Sequence, residues 1–126
     1  MYSSSYKSIA TALASLLSRT GVQVGGGAGY PRIELHTFIE NPATDKGGAV
    51  RVLSCIVESM SNRGAAAAAT MNAENLALLG GWTYTGTDFA IVGVVPTQLT
   101  ELTETSDPQI FIYRVLQSID IYVQQL

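Results

Sequence analysis

Gln109-Ile110-Phe111-Ile112-Tyr113-Arg114-Val115-Leu116-Gln117-Ser118-Ile119-Asp120-Ile121-Tyr122-Val123-Gln124 decides how the chain is read. Phe111, Tyr113, Val115, Ile119, Ile121 and Val123 share one face at period two, the mark of a β-strand with one buried side. Sixteen residues exceed the ordinary strand length of about five or six, so a bulge is expected near Gln117 and Ser118. Just upstream, Glu104-Thr105-Ser106-Asp107-Pro108 is a turn by composition. Residues 89–102 precede it as a second long strand, in which Pro96 marks a bulge or an edge position. The pair forms a long terminal hairpin whose far end, residues 103–108, projects beyond the body of the domain. A projecting hairpin is favoured to be held by a partner. Thr103, Glu104 and Asp107, with Arg114 on the returning strand, are therefore the candidate interface residues.

Working back from the hairpin, Trp82-Thr83-Tyr84-Thr85-Gly86-Thr87-Asp88 reads as a connection with two aromatics. Before it, residues 64–79 form a helix that Ser61-Asn62 would cap and Gly80-Gly81 would close. Its five consecutive alanines, 65 to 69, are strong helix formers that allow close packing, and Ala69, Ala73, Leu76 and Ala77 are the expected buried stripe. Residues 49–60 are a strand around Val50, Val52, Leu53, Ile56 and Val57. From Arg32 to Glu40 the pattern alternates, with Ile33, Leu35 and Ile39 on one face and Arg32, Glu34, His36 and Glu40 on the other. The turn formers of residues 41–48 join these two strands into a hairpin. A glycine-rich break at 25–29 separates them from a first helix, residues 5–18. There Ser5 is the expected N-cap, Ile9, Leu13, Leu16 and Leu17 form the stripe, and Arg19 and Gly21 stand at the stop. The order is α-β-β-α-β-β. It predicts an α+β domain over residues 1–126: an antiparallel sheet of about four strands with two helices packed on one face.

Composition points to assembly. The chain has 126 residues, 47% of them apolar, but only 13% are charged, about half the usual share. Ser and Thr, twenty-three together, and twelve Gly make up the difference. Interface cores are depleted in charge, so much of the surface is expected to lie against neighbouring subunits. The net charge of −3 argues against binding nucleic acid by phosphate neutralisation. The charge is uneven, +2 over residues 1–63 and −5 over residues 64–126, as head-to-tail contacts favour. Cys55 is the lone cysteine, which excludes an intrachain disulfide. The N-terminus has no basic start and apolar core, and no apolar run approaches 18 residues. These features predict a cytoplasmic origin without signal peptide or membrane span.

No motif carries catalytic chemistry. The glycine run lacks a Gly-Lys-Ser/Thr ending, and Pro31 opens a strand where a phosphate loop would feed a helix. His36 sits on the polar face of its strand beside Glu34 and reads as an exposed or interface histidine. Cys55 lies in an apolar strand, where a thiol acts as a small hydrophobe. A Cys–His pair would need strain across the hairpin and a third orienting group. Glu101, Glu104 and Asp107 read as a solvated turn in preference to a cation site, and Trp82 and Tyr84 as the seal of a core edge. No cofactor, metal or catalytic residue is expected.

The layout resembles the tail-completion and tail-terminator proteins of long-tailed bacteriophages. The likeness rests on an N-terminal helix, a short Gly-rich connection and the strand Pro31-Arg32-Ile33-Glu34-Leu35. It continues in Ala49-Val50-Arg51-Val52-Leu53 leading to the Ala-rich helix. It ends in Leu99-Thr100-Glu101-Leu102-Thr103-Glu104 followed by Asp107 to Ile121, with Tyr113-Arg114-Val115 ahead of alternating apolar residues. The chain departs from the pattern where the family's first short strand is reduced to Val22-Gln23-Val24. The resemblance implies a homo-oligomeric ring, commonly of six subunits, on the head-proximal end of the tail tube. Such a ring ends tube polymerisation and docks the neck or head-completion protein. DNA passes through its lumen without specific binding, in a virion assembled in the host cytoplasm. Two alternatives remain beside it. One is another neck component, such as a head-completion or adaptor protein; the other is a small bacterial module binding a peptide or ligand against its sheet.

Overall fold

Ile9, Leu13 and Leu17 stand one helical turn apart and are wholly buried, which fixes how helix α1, Ser3–Leu17, lies on the sheet. The computed structural model describes residues 3–19, 22–25, 29–42, 50–86, 89–107 and 110–126. Residues 1–2, 20–21, 26–28, 43–49, 87–88 and 108–109, and with them the expected stop at Gly21, most of the expected turn formers of 41–48 and the expected turn residue Pro108, lie outside the described residues. After α1 come strands β1 (Gln23–Val24), β2 (Arg32–Pro42) and β3 (Val50–Ser61), helix α2 (Ala65–Gly80), and strands β4 (Phe89–Asp107) and β5 (Ile110–Gln125).

The class is α+β, as the pattern of elements predicts, but the sheet has five strands in the order β1-β2-β3-β5-β4. The fifth is β1, built from the reduced Val22-Gln23-Val24 segment. It pairs in parallel with Arg32 and Ile33 of β2, while the other pairings are antiparallel. The sheet is thus mixed rather than purely antiparallel. Its core face carries Ile33, Leu53, Cys55, Val57, Ile119, Ile121 and Val123, which meet Ile9, Leu13 and Leu17 of α1 and Met71 and Leu79 of α2. Both helices therefore cover one face; the opposite one is the outer face. Arg19 joins them: its guanidinium donates to Leu17 O (2.9 Å), closing α1, and to Glu74 Oε1 on α2 (3.2 Å).

Several local expectations are corrected. Ser5 lies inside α1, which begins at Ser3. The N-cap of α2 is Gly64, at φ 124° and without a side-chain cap. Ser61 still belongs to β3, and its hydroxyl accepts from the Arg63 N–H (3.1 Å), so Ser61-Asn62 does not cap the helix. The buried stripe of α2 runs through Ala68, Met71, Asn72, Asn75 and Leu79, leaving Ala69, Ala73 and Ala77 exposed and Leu76 half-buried. Two asparagines fit that stripe because the sheet offers them polar partners. Asn75 Nδ2 donates to Ser59 Oγ (2.9 Å) and Asn72 Nδ2 to Gln117 Oε1 (3.3 Å).

The bulge expected at Gln117–Ser118 is on the other strand. The β3–β5 register runs unbroken from Val50↔Gln124 to Ser61↔Tyr113. The register shifts of the hairpin fall between Ile91 and Gly93, Pro96 and Leu99, and Thr105 and Asp107, with the additional residue on β4 each time. An edge strand tolerates such insertions because only one of its sides is paired. Pro96 is thus both at a bulge and on an edge. The segment read as a turn from Glu104 is also strand, since β4 continues to Asp107. Among the described residues no helix is long and apolar enough to cross a membrane.

Candidate functional site

The hairpin arises from unequal neighbours. β5 lies between β3 and β4, and its residues 115, 117, 119, 121 and 123 are buried under α2 and the core. β4 is the edge. From Val95 to Thr103 nine consecutive residues are exposed, among them Val95, Leu99 and Leu102, each about half exposed. Beyond Thr103↔Tyr113 the strand β3 has ended, so residues 104–107 and 110–112 form a two-stranded arm. Among the described residues nothing pairs with the outer side of this stretch, and an edge of this length with exposed apolar side chains is what sheets ordinarily shorten or charge to stop further strand pairing.

Where the arm leaves the body, a groove of about 220 Å³ opens between Ala65 and Ala68 of α2 and Glu101, Thr103, Tyr113 and Val115 of the hairpin. The alanines explain it: a methyl group cannot fill the space between a helix start and a diverging strand. Leu102 and Arg114 also line the groove and stand opposite each other in the register. Two of the four sequence-predicted residues, Thr103 and Arg114, are thus brought together here. Glu104 and Asp107 follow along the backbone of β4, in register with Ile112 and Ile110.

Arg114 has a second attachment. Its NH1 donates to Glu58 Oε2 (2.8 Å), and His36 Nε2 lies 3.1 Å from Glu58 Oε1. The three side chains form a band across β2, β3 and β5 on the outer face, and Glu58 is only 5% exposed beneath its two partners. His36, expected at the surface, keeps 40% of its side chain exposed but is engaged with Glu58. Sequence reading missed Glu58, because a carboxylate amid Ile56, Val57, Ser59 and Met60 gives no sign of partners 22 and 56 residues away.

Farther along the outer face Ser54 Oγ donates to Asp120 Oδ1 (2.6 Å). This pair sits in an open depression of about 280 Å³ whose walls include Ile39, Ile56, Thr97 and Gln98. Cys55 faces the core. Burial, and secondarily the charge of Asp120, push its thiol up to about 12, far from the thiolate form a nucleophile needs. His36 pairs with Glu58 on the opposite side of the sheet, so the two do not form a dyad. Among the described residues no three His, Cys, Asp or Glu side chains come together as a metal site. Trp82 packs against the core with Tyr84 tilted beside it, ring centroids 6.4 Å apart. The site offers shape, apolar area and backbone hydrogen-bonding groups.

No protein-family model and no curated protein matches the chain. Among solved structures, the chain is similar to one in the "Virion of native gene transfer agent (GTA) particle", with a TM-score of 0.65 and 20% identity. The match covers 89% of this chain and 84% of that one, so what the two share is a fold over nearly their whole lengths.

Proposed function

We propose that the chain is a structural virion protein of a phage-like particle. In this reading it is a tail terminator, whose ring on the head-proximal end of the tail tube ends polymerisation and joins the tail to the head–neck complex. The observation that carries the proposal is the free β4 edge, with nine consecutive exposed residues and a groove of mixed polar and apolar lining at its root. Such an edge is suited to being covered by another subunit. The fold shared with a chain of a gene transfer agent virion particle supports a place in a virion. The low charge content supports extensive subunit contact.

The 126 residues act as one domain without cofactor, metal or catalytic step. About six copies close head to tail, since heterologous contacts make rings when the rotation closes. Thr103, Glu104 and Asp107 meet the neighbouring subunit or the tube protein, and Arg114, bonded to Glu58, holds the root of the arm. The acidic balance lets DNA slide through the lumen without sticking. Assembly takes place in the host cytoplasm, and the finished protein resides in the tail or neck.

Light scattering over a concentration series, with negative-stain microscopy, tests this. Rings near six protomers that bind tail tubes support the reading, and Thr103→Ala, Glu104→Ala and Asp107→Ala combined weaken that binding. Capture by head-side proteins in place of tubes reassigns the chain to another neck component. A dimer or monomer with a small-molecule or peptide ligand overturns the virion role.

A further inference from the structure

The outer face divides into two halves by charge. Around Glu58 every charge is answered: His36 and Arg114 on Glu58, and Arg32 within 3.8 Å of Glu34. Asp120 stands apart from these pairs. Its carboxylate accepts one hydrogen bond, from Ser54, and among the described residues no cation pairs with it. It is half-buried in the 280 Å³ depression, between Ile39, 52% exposed, and Val95, 48% exposed, which stands opposite it in the register. Glu101 is also unpaired, but it is exposed and water answers its charge. Asp120 has given up part of its hydration, and a half-dehydrated carboxylate ringed by exposed apolar side chains gains most from a cation that brings its own aliphatic stem.

The chain holds complementary groups that its own Asp120 does not meet. Lys7 on α1 and Arg63 between β3 and α2 are exposed, and among the described residues neither makes an ion pair. Lys7 belongs to the helix layer, on the side of the sheet away from Asp120. Two complementary patches on different sides of one molecule cannot satisfy each other within it; they meet when copies stack head to tail.

We infer that the Asp120 depression is a docking site for a basic side chain, Lys7 or Arg63, of a second copy of this chain, with Ile39 and Val95 packing against its stem. The inference rests on the self-assembly reading and supplies the polarity of its contact: the outer face of one subunit receives the helix side or α2 end of the next.

Asp120→Asn tests it, because the amide oxygen retains the Ser54 bond and only the charge is lost. In light scattering at low salt the variant is expected to raise the dissociation constant for self-association about tenfold. Asp120→Lys should abolish association, and pairing it with Lys7→Glu or with Arg63→Glu should restore it, thermal unfolding confirming that each variant is folded. Wild-type-like association of Asp120→Asn overturns the inference and leaves the ring standing. So does a folded Asp120→Lys that neither reversal rescues. An Asp120-dependent complex that is not a ring keeps the inference and removes the terminator. A wild-type protein that stays monomeric at every concentration removes both.

Discussion

β4 and β5 are the two strands of one hairpin, yet they obey different rules. In β5 the alternation of side chains is also an alternation of burial, because β3 flanks it and α2 covers it. In β4 the same apolar chemistry, Val95, Leu99 and Leu102 on either side of a bulge, is exposed within a run of nine consecutive exposed residues. The hairpin's bulges fall on β4 and none on β5. An apolar side chain at the centre of β5 is part of the monomer's stability, as are Phe89, Ile91 and Val94 at the start of β4, whereas Val95, Leu99 and Leu102 stay at the surface.

The contrast is broken most directly at Ile119, wholly buried at the centre of β5. Ile119→Ala should destabilise the monomer by about 2–5 kcal/mol in chemical denaturation; a cost below about 1 kcal/mol would mean that β5 is not a core strand. The next largest effect lies opposite Ile119, at Cys55. Its folded thiol titrates near 12 against an ordinary 9.0, so the fold favours the protonated form. That contribution is complete below the unfolded value and is lost as pH rises towards the folded one, about 4 kcal/mol at the limit. Denaturation midpoints should fall between these two pH values, and Cys55→Val should flatten the slope.

Glu58→Ala leaves Arg114 of β5 without its buried carboxylate and should cost about 1–3 kcal/mol. The smallest effect belongs to β4: Leu99→Ser should change monomer stability by no more than about 0.5 kcal/mol while weakening self-association. If Leu99→Ser instead unfolds the monomer, the edge is core and the distinction between the strands collapses.

What could be read in the sequence follows the same division. The stripe of α1, the alternation from Arg32 to His36 and the burial of Val115 to Val123 were legible because each buries apolar side chains at a fixed period. The face of α2 was not. Alanine occupies every side of that helix and carries no periodic signal, and a buried Asn75 is acceptable only because Ser59, sixteen residues earlier, meets it across the layers. Phe111 shows the converse error: the period places it with the core residues, but it lies 45% exposed where β5 has run past β3. Of the candidate site, the sequence names Thr103 and Arg114, which line the groove, whereas Glu58, Asp120 and the alanine-walled groove itself depend on pairings between distant segments.

The bulge between Pro96 and Leu99 has a consequence for how freely the molecule can change. The Gln117 amide donates to Gln98 O (3.2 Å) while its carbonyl accepts from Asn72 of α2. Within the body, four residues from the arm's root at Tyr113, the hairpin is thereby tied to the helix layer by three side-chain and backbone amides. A designer wishing to loosen the hairpin from α2 without touching an apolar side chain would cut the link at Gln117.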